Sequence, residues 1–259
     1  MGQYHMIINA DKKEYLYSNS GLKLLEWDYL KNPMNLTLLY KLSHDWKNDR
    51  VYVVGDYATS KDVYNYECAK VLKDLEKEFD TDNIYFYAGD KFKQVSLKED
   101  LVIDDYKYIY NHDTNQYLDL THCVPGDCQY DFMKLKNKVD FLAIAPLPLM
   151  LALGNGLGGG DYPKGCHNYE LVGSWINNIK SLEVRKNKLK NDYEELIPEF
   201  QEGKIYMSYK QAEKIKNIIE KKYIDFIKED SWINRDFIEK IINGKDPTIN
   251  IKKEHSMER

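Results

Sequence analysis

Tyr4-His5-Met6-Ile7-Ile8-Asn9-Ala10-Asp11-Lys12-Lys13-Glu14-Tyr15-Leu16 is an apolar run, a polar centre and a second apolar run. The pattern predicts a β-hairpin, with strands at residues 4–9 and 14–17 and a turn at residues 10–13. The same shape returns between Tyr106 and Leu120. Tyr4, Ile7, Asn9, Asp11, Tyr15 and Leu16 recur in order as Tyr106, Ile109, Asn111, Asp113, Tyr117 and Leu118, with Gln116 in the place of Glu14. A second match follows each hairpin. Leu36, Leu38, Leu39 and Leu42 correspond to Leu147, Leu149, Met150 and Leu153, and Trp46 and Asn48 to Trp175 and Asn177. Several matches in order predict an internal duplication. The spacing widens between Leu153 and Trp175, so the second copy carries an insert there. It contains Gly154-Asn155-Gly156-Leu157-Gly158-Gly159-Gly160-Asp161-Tyr162.

Around the hairpins the pattern is mixed. Helical spacing is expected at residues 21–30, 34–42 and 60–79, the last with an apolar stripe of Val63, Ala69, Val71, Leu72, Leu75 and Phe79. Strands are expected at residues 50–56, 84–87, 92–95, 141–145 and 179–184. The last third reads as helices at 209–227 and 232–242, stopped by Gly244 and Pro247. The predicted class is therefore α+β. A duplicated hairpin/helix/strand domain with pseudo-two-fold character spans residues 1–185, in copies of about 1–100 and 103–185, and a charged helical extension spans 186–259.

Composition excludes more than it assigns. Net charge is −5 and the pI is near 5.8, so nothing favours nucleic acid. The late lysines, from Lys186 to Lys190 and Lys210 to Lys222, alternate with acids as on a solvated helix face. No apolar run is long enough to span a membrane, and four cysteines without an export pattern suit reduced thiols in a cytoplasmic setting. Tyr is abundant, 22 against 8 Phe. Its ring and hydroxyl suit half-buried strands and contact surfaces, and the richness in Lys, Asn and Ile beside it is equally the mark of an AT-rich genome.

The opening Met1-Gly2-Gln3-Tyr4, the 9–16 hairpin, Gly21-Leu22-Lys23-Leu24-Leu25-Glu26, Asp49-Arg50-Val51-Tyr52-Val53-Val54-Gly55-Asp56-Tyr57, Pro146-Leu147-Pro148-Leu149, the glycine loop and Val172-Gly173-Ser174-Trp175 together resemble a family of uncharacterised bacterial and phage proteins. The resemblance covers roughly residues 1–185 and implies a fold unit with no assigned activity. Three positions depart from the family pattern. Leu157 stands where the family carries Arg, Ala145 where it carries His, and Ile176-Asn177-Asn178 where it carries a small residue, Arg and Asp.

Four groups of residues are candidates for chemistry. In the first, Gly154, Asn155, Gly156, Gly158, Gly159, Gly160, Asp161 and Tyr162, with His167 and Trp175, are expected to hold a ligand. Consecutive amides in a glycine-rich turn form an anion nest, Asn155 would orient the ligand, Lys164 and His167 would supply positive charge, and Tyr162 and Trp175 a wall. Neither a Walker loop nor a dinucleotide fingerprint fits, because Asp161-Tyr162-Pro163 follows where a lysine or a helix is required. The alternative is a tight loop whose glycines fold over a neighbouring backbone. In the second, Cys123, Cys128 and Cys166 with His122 or His167 form a zinc-like set, but adjacent Cys166 and His167 rarely reach one metal, and no metal site is expected; Cys68 reads as buried packing. In the third, Ser174 lacks a nucleophile elbow, and no histidine can be paired with a partner from sequence. In the fourth, Asp49, Asp56 and Asp90 read as turn residues unless they converge on one cation.

The leading expectation is a binding protein for a small polar or phosphorylated ligand at the loop. The alternatives are a metal-dependent hydrolase using Asp56, Asp161 and His167, and a viral or phage-type interaction factor acting through Tyr-rich surface and the C-terminal helices.

Overall fold

The computed structural model describes residues 2–18, 23–24, 32–120, 132–135, 138–141, 146–154, 158, 171–190 and 192–196, and in the C-terminal part 214, 217–219, 221–223, 240–241 and 243–246. Residues Met1–Leu120 with Ala145–Gln201 form one unit, and Thr121–Ile144 with Glu202–Arg259 another. The class is α+β.

The first unit begins with the expected hairpin. Strands β1 (His5–Asn9) and β2 (Glu14–Leu16) pair antiparallel, Ile7 opposite Leu16 and Asn9 opposite Glu14. Asn9 closes the turn by accepting from the Lys12 amide at 2.9 Å, and Lys13 takes a left-handed φ of 54°. Helix α1 (Pro33–Ser43) follows, started by Asn32, whose side chain accepts from the Met34 amide, and by Pro33 in the first turn. Strand β3 (Val51–Gly55) then pairs antiparallel with β1. Helix α2 (Tyr66–Phe79) and helix α3 (Ile84–Lys91) lead to β4 (Lys93–Gln94), which runs parallel beside β2.

A second sheet repeats this plan. Strands β5 (Tyr108–Asn111) and β6 (Gln116–Asp119) pair with Ile109 opposite Leu118 and Asn111 opposite Gln116. Asn111 accepts from the Asp113 and Thr114 amides, and Asn115 takes φ 55°. In the second unit, β7 (Phe132–Leu135) and β8 (Lys138–Phe141) form an antiparallel pair. Back in the first, helix α4 (Pro146–Met150) leads to β9 (Ala152–Leu153), and β10 (Leu182–Arg185) and β11 (Glu194–Glu195) complete the second sheet. The strand orders are β4-β2-β1-β3-β9 and β10-β5-β6-β11. In both sheets the hairpin's first strand pairs antiparallel with a later strand, and its second strand takes a short parallel strand at its edge. The amide of Ala10 donates to the Arg50 carbonyl, as the amide of His112 does to Ser181.

Each half reaches into the other. Strand β9, from the second half, pairs parallel with β3 of the first sheet, while α1, from the first half, packs on β10 of the second. Trp46 and Trp175 are both fully buried, and the amide of each bonds back to the chain after the preceding helix begins, at Lys41 and Met150. One face of the first sheet meets α2 and α3: Gly89 of α3 sits over the Met6 side chain, and Cys68, Leu72, Leu75, Phe79, Ile84 and Ala88 are buried there. Residues 56–92 supply that cover. The corresponding connection in the second sheet is only residues 186–193, and the face beneath it carries Tyr108, Tyr110, His112 and Tyr117.

Several expectations need correcting. Residues 84–87 are the start of α3 and not a strand. Aromatic and β-branched letters suggested a strand, but Asn83 caps the segment by accepting from the Phe86 amide, and Ile84 and Ala88 are buried one helical turn apart. Helix α2 starts at Tyr66, later than expected, because Asn65 caps it and Ser60 instead bonds the Glu76 carboxylate. Residues 179–181 are a 3₁₀ turn before β10. The second sheet extends past Arg185, since β11 lies in residues the sequence assigned to the helical extension; a two-residue edge strand shows no periodicity to read. The predicted segments 21–30 and 141–145, and most of the two C-terminal helices, lie outside the described residues. Those described at 217–219, 221–222 and 240–241 are helical.

Candidate functional site

The described glycines of the loop are packed into the interior. Gly154 has φ +83°, and a Cβ there would lie 2.3 Å from the Ala58 Cβ. A Cβ on Gly158 would lie 2.4 Å from the Gln3 amide nitrogen, and one on Gly55 would fall inside the Gln3 side chain. Gln3 is fully buried between these three glycines. This is the geometry of a loop folding over neighbouring backbone. Trp175 is 2% exposed and so belongs to the core rather than to an open wall. Asn155, Gly156, Gly159, Gly160, Asp161, Tyr162 and His167, like Lys164 and the cysteine–histidine set at 122–128 and 166–167, lie outside the described residues. Among the described residues no group of His, Cys, Asp or Glu is arranged to hold a metal.

Asp49, Asp56 and Asp90 do not converge. Asp49 precedes β3, where it accepts from Asn9 Nδ2 at 2.8 Å and pairs with Lys12. Asp56 follows β3, where it accepts from the Tyr4 amide, and burial pushes its carboxyl up against the lowering effect of that bond. The five-residue strand separates the two by about 17 Å. Asp90 is exposed within α3 beside Lys91. Cys68 is buried packing, as the sequence predicted. Its thiol is pushed up to about 12 by burial, and its Sγ lies 3.6 Å from the Ala152 carbonyl.

A cavity of about 320 Å³ opens between α2 and the segment that follows Trp175. Val71, Leu75, Ile176, Ile179 and the ring of Tyr52 make it apolar inside, and Arg50, Lys70, Asp74, Asn177 and Lys180 make it polar. The helix supplies its share through residues one turn apart (Lys70 and Asp74, Val71 and Leu75). The far wall is placed by Trp175, whose burial fixes the turn that carries Ile176 to Lys180. At one side Asn177 Nδ2 donates to Glu67 Oε2 at 3.0 Å and ties the two walls together.

Arg50 is a clamp at the base. Its NH1 and NH2 donate to Glu78 of α2 at 2.6 and 2.9 Å, and its Nε donates to Asp11 of the first hairpin at 2.7 Å. The Glu78 hydrogen bond, aided by Asp11, raises the guanidinium further above its ordinary range. Arg50 in turn holds the Glu78 carboxyl below its usual range; Asp11 is lowered as well, burial opposing and the Arg50 bonds prevailing. Tyr52 is pushed up to about 12 by burial. The phenol is thus held protonated, and the Asp11 and Glu78 carboxylates are occupied by Arg50. Lys70 and Lys180 are exposed at the rim, and Lys180 lies close enough to Asp11 to help lower its carboxyl. Sequence reading passed over all four of Arg50, Tyr52, Lys70 and Lys180. The only signals were the Asp49–Tyr57 run and the position of Lys180 just after the Val172–Trp175 motif.

The fold and this cavity define an α+β protein of two hairpin-centred sheets with a polar-rimmed cleft built by both halves. Comparison with protein-family models, curated proteins and solved structures finds no match to this chain.

Proposed function

We propose that this chain binds a small acidic ligand, phosphorylated or carboxylated and with an apolar body, in the cavity between α2 and residues 176–180. One observation carries the reading: Lys70 and Lys180 flank a cavity whose interior is Val71, Leu75, Ile176, Ile179 and Tyr52. Ligand sites are typically concave and largely apolar, with a few polar groups that fix orientation. On this reading the glycine loop and Trp175 act as the frame that positions the far wall, and ligand contact falls to residues 176–180. The shared register of the two hairpins further supports an origin by internal duplication, with the cavity arising where the copies meet.

Thermal melting with inorganic phosphate, a nucleoside monophosphate and a dicarboxylate tests the proposal. A ligand at a hundred times its Kd stabilises by about 2.7 kcal/mol. The Lys70→Ala/Lys180→Ala double variant should keep the unliganded Tm and lose the shift. No shift with any of the three anions, or an equal shift in the double variant, would sink the idea. A second reading, protein interaction, is favoured by Tyr64 just before α2, Tyr66 in its first turn and Phe86 of α3, which stand largely exposed.

A further inference from the structure

The second sheet holds a hydrogen-bonded chain that the cavity does not use. His112 Nδ1 lies 2.7 Å from the Tyr193 hydroxyl, and His112 Nε2 lies 3.0 Å from Glu183 Oε2. Arg185 NH1 donates to the other Glu183 oxygen at 3.0 Å, which keeps that carboxylate an acceptor. The neutral ring therefore donates from Nε2 to Glu183 and must accept at Nδ1 from the Tyr193 phenol. His112 packs nearly parallel to Tyr110 on the strand, and Tyr193 meets Tyr110 edge-on at 4.9 Å, so both partners are held in place. His112 is exposed and Tyr193 half-buried, so the hydroxyl is reachable. Carboxylate, imidazole and hydroxyl in series is the arrangement that activates a nucleophile.

We infer that Tyr193 is a nucleophilic hydroxyl, activated by His112 and Glu183, that accepts acyl groups from activated esters. In the step, Tyr193 Oη attacks the ester carbonyl carbon while its proton moves to His112 Nδ1. The new bond joins Oη to the acyl carbon, and the bond from that carbon to the leaving oxygen breaks with its electron pair. Glu183 stabilises the imidazolium, which then returns its proton to the leaving alkoxide or to water.

The full chain is incubated with p-nitrophenyl acetate, release of p-nitrophenolate is followed, and acetylated peptides are mapped over time. Tyr64 is the internal control: it is 82% exposed, so accessibility alone would have it react first. The expected result is acetyl on Tyr193 at least about a hundredfold faster than on Tyr64, the low end of a general-base effect. His112→Ala should bring Tyr193 down to the rate of Tyr64, and Glu183→Gln should fall between. The control lies in the same molecule, so the wild-type comparison stands even where a variant loses its fold. Equal rates at Tyr193 and Tyr64, acetylation confined to lysines, or a rate unmoved in folded His112→Ala would each overturn the assignment.

Discussion

His5 is fully buried in β1, and that burial lowers its imidazole to about 3, against a hydrogen bond with the Gln3 backbone that works the other way. The folded state thus binds the proton less well than the unfolded chain, whose histidine titrates near 6.5. Stability from this residue is fully present above the unfolded value and is lost as pH falls from there towards 3. Urea unfolding at pH 7.5 and pH 5 should differ by about 2 kcal/mol from His5, at roughly 1.4 kcal/mol per unit. His5→Phe should flatten that part of the profile, whatever it does to stability overall; an unchanged slope would mean that His5 stays neutral for no thermodynamic reason. None of this is readable from the sequence, where His5 sits in an ordinary apolar run. Asn9 and Asn111 are different. Their role in the hairpin turns was legible because an amide side chain between an apolar strand and a polar turn has few other uses.

Among elements, hairpins were the easiest to read and the glycine loop the hardest to interpret. Apolar alternation around Asn9 and Asn111 specifies a register directly, since a one-residue slip would turn Ile7 or Ile109 to the wrong face. Glycines are ambiguous in sequence: they suit an anion nest and a close backbone approach equally well. The contacts of Gly154 and Gly158 with Ala58 and Gln3 decide for close approach at those two positions. Gly154→Ala should therefore cost about 2–4 kcal/mol, combining left-handed strain with a steric clash. Gly244→Ala makes the comparison clean. It shares the positive φ, +68°, but a Cβ there meets nothing within 4 Å, so only about 1 kcal/mol is expected. Equal losses in chemical denaturation would show that the packing around Gln3 is not what the loop glycines serve. The cavity stayed hidden for a related reason: Lys70 and Asp74 lie off the apolar stripe that the sequence shows in α2, and only the placement of residues 176–180 beside α2 makes them a rim.

On the scale of the whole molecule, the halves are interlocked. Strand β9 extends the first sheet, and α1 covers β10 of the second. A fragment of residues 1–104 would lose the edge partner of β3 and expose the face of α1 that meets β10. We expect no cooperative melt from that fragment alone, and recovery of one when it is refolded with residues 105–259. A sharp independent transition in the isolated fragment would mean that the exchange adds nothing to stability. Sequence comparison of the two halves could expose their likeness, but not this crossing, because matched letters do not say which sheet a helix or strand will join.

The two sheets also differ in what spans them: residues 56–92 fold into two helices over one, and residues 186–190 and 192–193 lie as part of a brief strap over the other. The short parallel edge strand is reached either way, so the frame sets where the chain must return and leaves the route open. The shape of the sheet therefore does not depend on which stretch of chain spans it. The strap could be lengthened, shortened or replaced without redrawing the sheet beneath it, which makes it the natural point for grafting a new function onto this scaffold.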